Sequence, residues 1–213
     1  LGKQSIRNER GSMIPIEDIT VEYLAGVDTV NYSDLPLLKI CPTILDYVSE
    51  DICDLLKRNR PHNYVRERIN KHMLWDLSNK RIHSGSALRV KFQGQPIWEE
   101  SALLRWAHNK QNPNSLNKEK GLQLEHNNER IWYTNSIQQL DSKDNNLHQK
   151  VKDLLSTTTC TVVTPEFHKS LPSSITDPQD PWKRYRPFSP SLYWITWKKE
   201  RTWSIETIQK III

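Results

Sequence analysis

Aromatic rings interleaved with fixed positive charge can stack nucleic-acid bases and neutralise phosphate, because every base offers a π-face and every nucleotide a charge. The stretch Trp182–Trp203, WKRYRPFSPSLYWITWKKERTW, has that composition. It holds four of the eight tryptophans, with Tyr185, Phe188 and Tyr193, six Lys/Arg residues (Lys183, Arg184, Arg186, Lys198, Lys199 and Arg201) and one acid, Glu200. On this reading Trp182, Tyr185, Trp194 and Trp197 stack, while Arg184, Arg186, Lys198 and Lys199 contact phosphate, joined by Arg66 and Arg68 from a basic helix. The same rings would serve equally well in a core, and composition does not choose between the two.

Other residue types capable of chemistry do not assemble into a complete motif. None of the seven histidines forms HxH, HxxxH or HExxH, so no metal face is encoded on one helix. The six glycines are scattered and cannot build a phosphate-cradling loop. Cys41, Cys53 and Cys160 are an odd number without a CxxC pair, which reads as buried thiols in a reducing compartment and hence an intracellular location. Asp18, Glu22 and Asp28 with Lys91 are residue types that a metal-dependent nuclease uses, although no spacing requires that assembly. Leu24-Ala25-Gly26-Val27-Asp28 resembles the opening of the LAGLIDADG motif of homing endonucleases, but lacks the second glycine and one residue before the acid. The run from Ile19 to Leu35 distantly resembles the tail of retrotransposon ribonuclease H domains, without the Asn and Ala-Asp positions of that pattern. The sequence therefore points to a non-enzymatic protein without a cofactor.

Charge distribution says more than the net +5. Met13–Asp54 carries nine acids against Lys39 alone, and Lys57–Lys91 then carries ten bases against Glu67 and Asp76. Such asymmetry suits an anionic partner, a nucleic acid. It also suits an acidic tract that folds back on its basic neighbour, or a protein-interaction module in which the Pro/Trp segment docks on an acidic protein or the acidic first helix captures a basic one. Mean hydropathy is −0.70 and no run approaches 18 apolar residues, so no membrane partner is expected.

The elements that must position these groups read as an α+β fold, with helices, short antiparallel strands or hairpins, and an irregular Pro/Trp-rich carboxy-terminal arm. Leu1–Ser12 reads as a tag or precursor remnant ahead of Met13. Ile14–Leu24 alternates like a strand. A helix begins at Pro42-Thr43 with Ile44, Leu45, Val48, Ile52, Leu55 and Leu56 on one side, and Pro61 ends it. A second helix spans about 63–79 with Val65, Ile69, Met73 and Leu77 as its stripe, widened by Tyr64, Leu74 and Trp75. Ala87–Gln93 alternates like a strand, and Pro96 opens a helix through about Asn109.

Lys110–Lys120 is the best linker candidate, either dividing residues 13–110 from residues 121–213 or crossing between two regions of one domain. Beyond it, Leu122–Glu125 and Arg130–Thr134 flank a hairpin turn at His126–Glu129, and Ser136–Leu155 is helical with a break near Asp144-Asn145-Asn146. Thr157–Val163 is a strand by its β-branched content. Six prolines between Pro165 and Pro190 exclude long regular elements, and Ser191–Trp197 pairs with Arg201–Ile205 as a last hairpin.

Overall fold

The computed structural model describes residues 5–7, 13–15, 29–34, 42–72, 77, 92, 95–111, 121–173, 177, 179–197 and 205–213. Among them, strands β1 (Ser5–Arg7) and β2 (Met13–Pro15) form a two-stranded antiparallel ribbon. Part of the stretch set aside as a tag therefore pairs with the segment after it. Next come β3 (Thr29–Asn31), α1 (Pro42–Lys57), α2 (His62–Lys71), β4 (Ile97–Glu99) and α3 (Glu100–Gln111). The chain continues with β5 (Gln123–His126), α4 (Arg130–Gln138), α5 (Leu147–Ser156), β6 (Cys160–Val163), α6 (Pro165–Ser170), β7 (Leu192–Trp197) and β8 (Ile205–Ile212). The main sheet runs β3-β8-β7-β4-β6-β5, and the fold is α+β. The sheet is mixed rather than antiparallel throughout, since β3/β8 and β4/β6 are parallel pairs. It takes strands from both sides of the linker candidate.

Side chains on the sheet alternate between two apolar layers, as the period of a strand requires. Trp98, Leu124, Cys160, Val162, Tyr193, Ile195 and Ile208 share one layer with Ala102, Leu103 and Trp106 of α3. Ile97, Val163, Leu192 and Ile211 face the other, against Leu171, Trp182 and Tyr185. A third cluster is wholly helical and joins Leu45, Val48, Ile52, Val65 and Ile69 of α1 and α2 to Tyr133, Ile137, Leu147, Val151 and Leu155 of α4 and α5.

Helix α1 matches its sequence pattern closely, with Leu45, Val48, Ile52 and Leu55 buried. Helix α2 buries Val65 and Ile69, whereas Tyr64 is 48% exposed and does not widen the stripe. Pro96 does not open a helix. Ile97-Trp98-Glu99 instead forms a fully buried strand between β7 and β6, and the Glu99 carboxylate accepts from the Ser101 and Ala102 amides to cap α3. The hairpin expected across His126–Glu129 is absent, since Arg130–Gln138 is helix α4 with Tyr133, Thr134 and Ile137 turned inward. The break before α5 falls where it was expected, with Asp144 accepting from the Asn146 amide at 2.7 Å. In the final hairpin β7 pairs with Ile205–Ile212, and Ile211 is a core residue; residues 201–204 of the expected pairing lie outside the described residues. The strands expected over residues 16–24 and 87–91, the acids Asp18, Glu22 and Asp28 with Lys91, and residues 112–120 lie outside the described residues.

Candidate functional site

Helix geometry separates the two arginines expected to act together on α2. Residues two apart on a helix stand about 200° apart around its axis. Arg68 turns back to α1, where its guanidinium meets Asp51 at 3.0 Å and His72 meets the same carboxylate at 2.6 Å. The acidic tract thus neutralises part of the basic one. Arg66 points elsewhere and is exposed, on the rim of a cleft of about 780 Å³.

This cleft lies where the helical cluster meets the outer strand of the sheet. Its floor is β5, residues Gln123 to His126. One wall carries Arg66 and Asn70 of α2 with Arg130 and Ile131 of α4, and the other carries His168 and Lys169 of α6 with Leu171, Ser173 and Arg184. Four consecutive β5 residues can line one cavity because β5 is the end strand of the sheet among the described residues. The Asn127 amide donates to the Thr159 carbonyl at 2.8 Å, continuing the β5/β6 register. That parity directs the backbone groups of Glu125 to β6 and those of Leu124 and His126 to the cleft.

At the cleft wall two side chains from distant parts of the chain, Arg184 and His168, converge on the Glu125 carboxylate. Glu125 is buried, with Oε1 accepting from Arg184 Nη1 at 2.8 Å and Oε2 lying 2.5 Å from His168 Nδ1. Arg184 also donates to the His126 and Pro172 carbonyls, at 3.1 and 2.8 Å, which fastens the arm to the sheet edge. A carboxylate accepts, so Nδ1 carries the hydrogen of this contact, and the neutral form of the ring is thereby the tautomer with its acceptor at Nε2. The His168 side chain is 39% accessible and lines the cleft. Burial, reinforced by the charge of Glu125, pushes the Tyr185 phenol well above its ordinary range. That hydroxyl stays protonated and donates to Asn127 Oδ1 at 3.3 Å.

Charge in the cleft is predominantly positive. Arg66, Arg130, Lys169 and Arg184 stand against Glu125 and Glu129. Among the described residues Arg66, Arg130 and Lys169 have no carboxylate partner. Arg58, Arg105, Lys150, Lys152, Lys183 and Arg186 are paired with Asp54, Glu166, Asp144, Asp46, Asp177 and Asp180. Unpaired cations from three separate elements at one concavity raise the local concentration of anions.

The ten residues singled out from sequence divide sharply. Trp182 and Tyr185 are 1% and 0% exposed, in contact with each other at a ring separation of 5.5 Å, so neither has a face for a base to stack on. This corrects the expectation that they form an outward stacking surface, and the reason is that the arm packs over the sheet beside Leu171 and Ile97. Trp194 is partly buried against the same layer. Arg186 is exposed but held by Asp180, and Arg68 by Asp51. Trp197 lies in β7 opposite Ile205, and Lys198 and Lys199 fall outside the described residues. Of those whose side chains are described, Arg66 and Arg184 alone reach the cleft, one on its rim and one buried in its wall. Arg130, Lys169, Glu125 and His168 were missed, since no local motif marks them.

Among the described residues no group of three or more His, Cys, Asp or Glu is placed to hold a metal ion, and no helix is long and apolar enough to cross a membrane. Comparison of the chain with protein-family models, with curated proteins and with solved structures finds no match.

Proposed function

We propose that this chain binds a nucleic acid through the β5-edge cleft, with Arg66, Arg130 and Lys169 contacting phosphates. The observation that carries the reading is the convergence of these three unpaired cations, from α2, α4 and α6, on one cavity. A cavity of about 780 Å³ exceeds what one phosphate group needs, and cations on three elements match a ligand with repeating charge. The aromatic arm supports the site from within instead of forming it: Trp182 and Tyr185 pack beneath the segment from which Arg184 grips Glu125.

Fluorescence anisotropy with a labelled single-stranded oligonucleotide tests this reading. Three phosphate contacts give a slope of roughly −2 for log affinity against log salt, about −0.7 for each contact to a single strand. Arg66→Ala and Lys169→Ala each weaken binding and make the slope shallower. Polyglutamate provides the competing arm. Tighter binding of polyglutamate than of the oligonucleotide at equal salt would replace the proposed partner with an acidic protein.

A further inference from the structure

The carboxylate-backed imidazole on the cleft wall has no role in binding phosphate alone. A buried glutamate that only needed a counter-ion has one in Arg184, at 2.8 Å. Its second oxygen instead fixes the His168 ring through Nδ1 at 2.5 Å, at a residue 43 positions away in the sequence. Such a bond sets the orientation of an imidazole and the tautomer of its neutral form, the one with Nε2 as acceptor, on a ring that is 39% accessible at the cation-lined cleft. Imidazole is the side chain best suited to take up and release protons near neutral pH. To act it needs a hydroxyl beside a phosphate held in place by cations. RNA brings both, because each 2′-hydroxyl sits next to its own phosphodiester and is a tethered nucleophile.

We infer that His168 is a general base that cleaves RNA bound in this cleft, by transesterification through the substrate's 2′-hydroxyl. This rests on the nucleic-acid reading above and names the substrate class within it. His168 Nε2 takes the 2′-hydroxyl proton as the O2′–P bond forms. The P–O5′ bond breaks and O5′ leaves with a proton from a water molecule of the cleft. The products are a 2′,3′-cyclic phosphate and a 5′-hydroxyl, and His168 returns its proton to solvent. No oxidant or reductant is required. Lys169, the next residue of α6, and Arg130 across the cleft supply positive charge for the phosphorane that develops. Glu125 is a positioning residue, acting on the reaction only through the ring it holds.

The full chain is incubated with a short labelled single-stranded RNA in the presence of a chelator, and the products are read by denaturing gel and mass spectrometry. Binding of the same sequence with 2′-O-methyl groups, which cannot be cleaved by this route, is measured in parallel. The expected result is fragments ending in 2′,3′-cyclic phosphate. His168→Ala should lose about 10²–10⁴-fold in rate, the range a positioned general base supplies, a loss much larger than any change in its affinity for the methylated strand. Glu125→Gln, which keeps the shape of the side chain, should lower the rate and change its pH profile, a readout that a purely structural role would not move. Binding of the methylated strand without cleavage of the RNA would overturn this inference and leave the binding reading standing. So would equal cleavage by the His168→Ala protein, which would assign the activity elsewhere. Failure to bind either strand would remove both.

Discussion

Arg184 Nη1 stands 2.8 Å from Glu125 Oε1, and both side chains are almost sealed from solvent. The most deeply held cation of the carboxy-terminal segment is therefore part of the fold before it is part of any interface. It links two stretches 59 residues apart and ties the arm to the end strand of the sheet. A buried pair of this kind roughly balances desolvation against attraction, but removing one member leaves the other charge stranded.

The first prediction follows from that asymmetry. Arg184→Met should lower unfolding free energy by about 3–5 kcal/mol in urea titrations. Adding Glu125→Leu should recover much of the loss, because the stranded carboxylate goes with it. A single variant as stable as the parent protein would show that the pair contributes nothing to holding the arm.

Trp182 provides a second test, separating core from interface. Its side chain is 1% exposed among Tyr32, Tyr185 and Leu171, so Trp182→Ala should cost about 3–5 kcal/mol. Trp182→Phe should cost less. Binding per folded molecule should be unchanged in the Phe variant. Native stability with weakened oligonucleotide binding would return this ring to the surface role that the sequence suggested.

Alkaline stability gives a third. Burial, the negative charge of Glu100 and the hydrogen bond that the phenol donates to it at 3.1 Å push Tyr193 up to about 12. An unfolded tyrosine loses its proton near pH 10. The unfolded chain therefore gains from ionisation first, and stability present below about pH 10 is lost as pH rises towards the folded value. Denaturant midpoints across that window should fall less steeply for Tyr193→Phe. Parallel slopes for the two proteins would contradict the assignment.

At the acid end Asp51 makes the opposite prediction. Burial would raise its carboxyl, but hydrogen bonds from His72 and Arg68 outweigh this and hold it below the usual carboxylate range. Its contribution is present above the unfolded value of about 3.9 and lost as pH falls through the folded one. Asp51→Asn should cost about 1 kcal/mol at neutral pH and make the helical circular dichroism less sensitive to acid. Equal acid sensitivity in both proteins would show that the α1–α2 contact does not depend on this charge.

What could be read from the sequence follows the range of the forces involved. Helix α1 was legible because its buried residues recur every three or four positions and Pro61 lies just beyond its end. Strand β4 was not, because three residues are too few to show a period and Pro96 imitates a helix start. Its structure is imposed by β6 and β7 on either side. Trp182 and Tyr185 were expected on an outward surface and are core residues, because a hydrophobic ring and a stacking ring are the same residue. Of the cleft, Arg66 and Arg184 alone were singled out from the sequence. Glu125, His168 and Arg184 become neighbours solely through the β5 edge and the turn of the arm, and no spacing along the chain encodes that meeting.

The central claim is that the β5-edge cleft receives an anionic polymer. Amide chemical-shift mapping with isotopically labelled protein and a 2′-O-methyl oligonucleotide tests it most directly. The account predicts that the largest shifts fall on Leu124, His126, Arg130, His168 and Lys169, with little change at the far strand β3 or along α1. Shifts concentrated on β3 and α1, with the β5 edge unmoved, would contradict it.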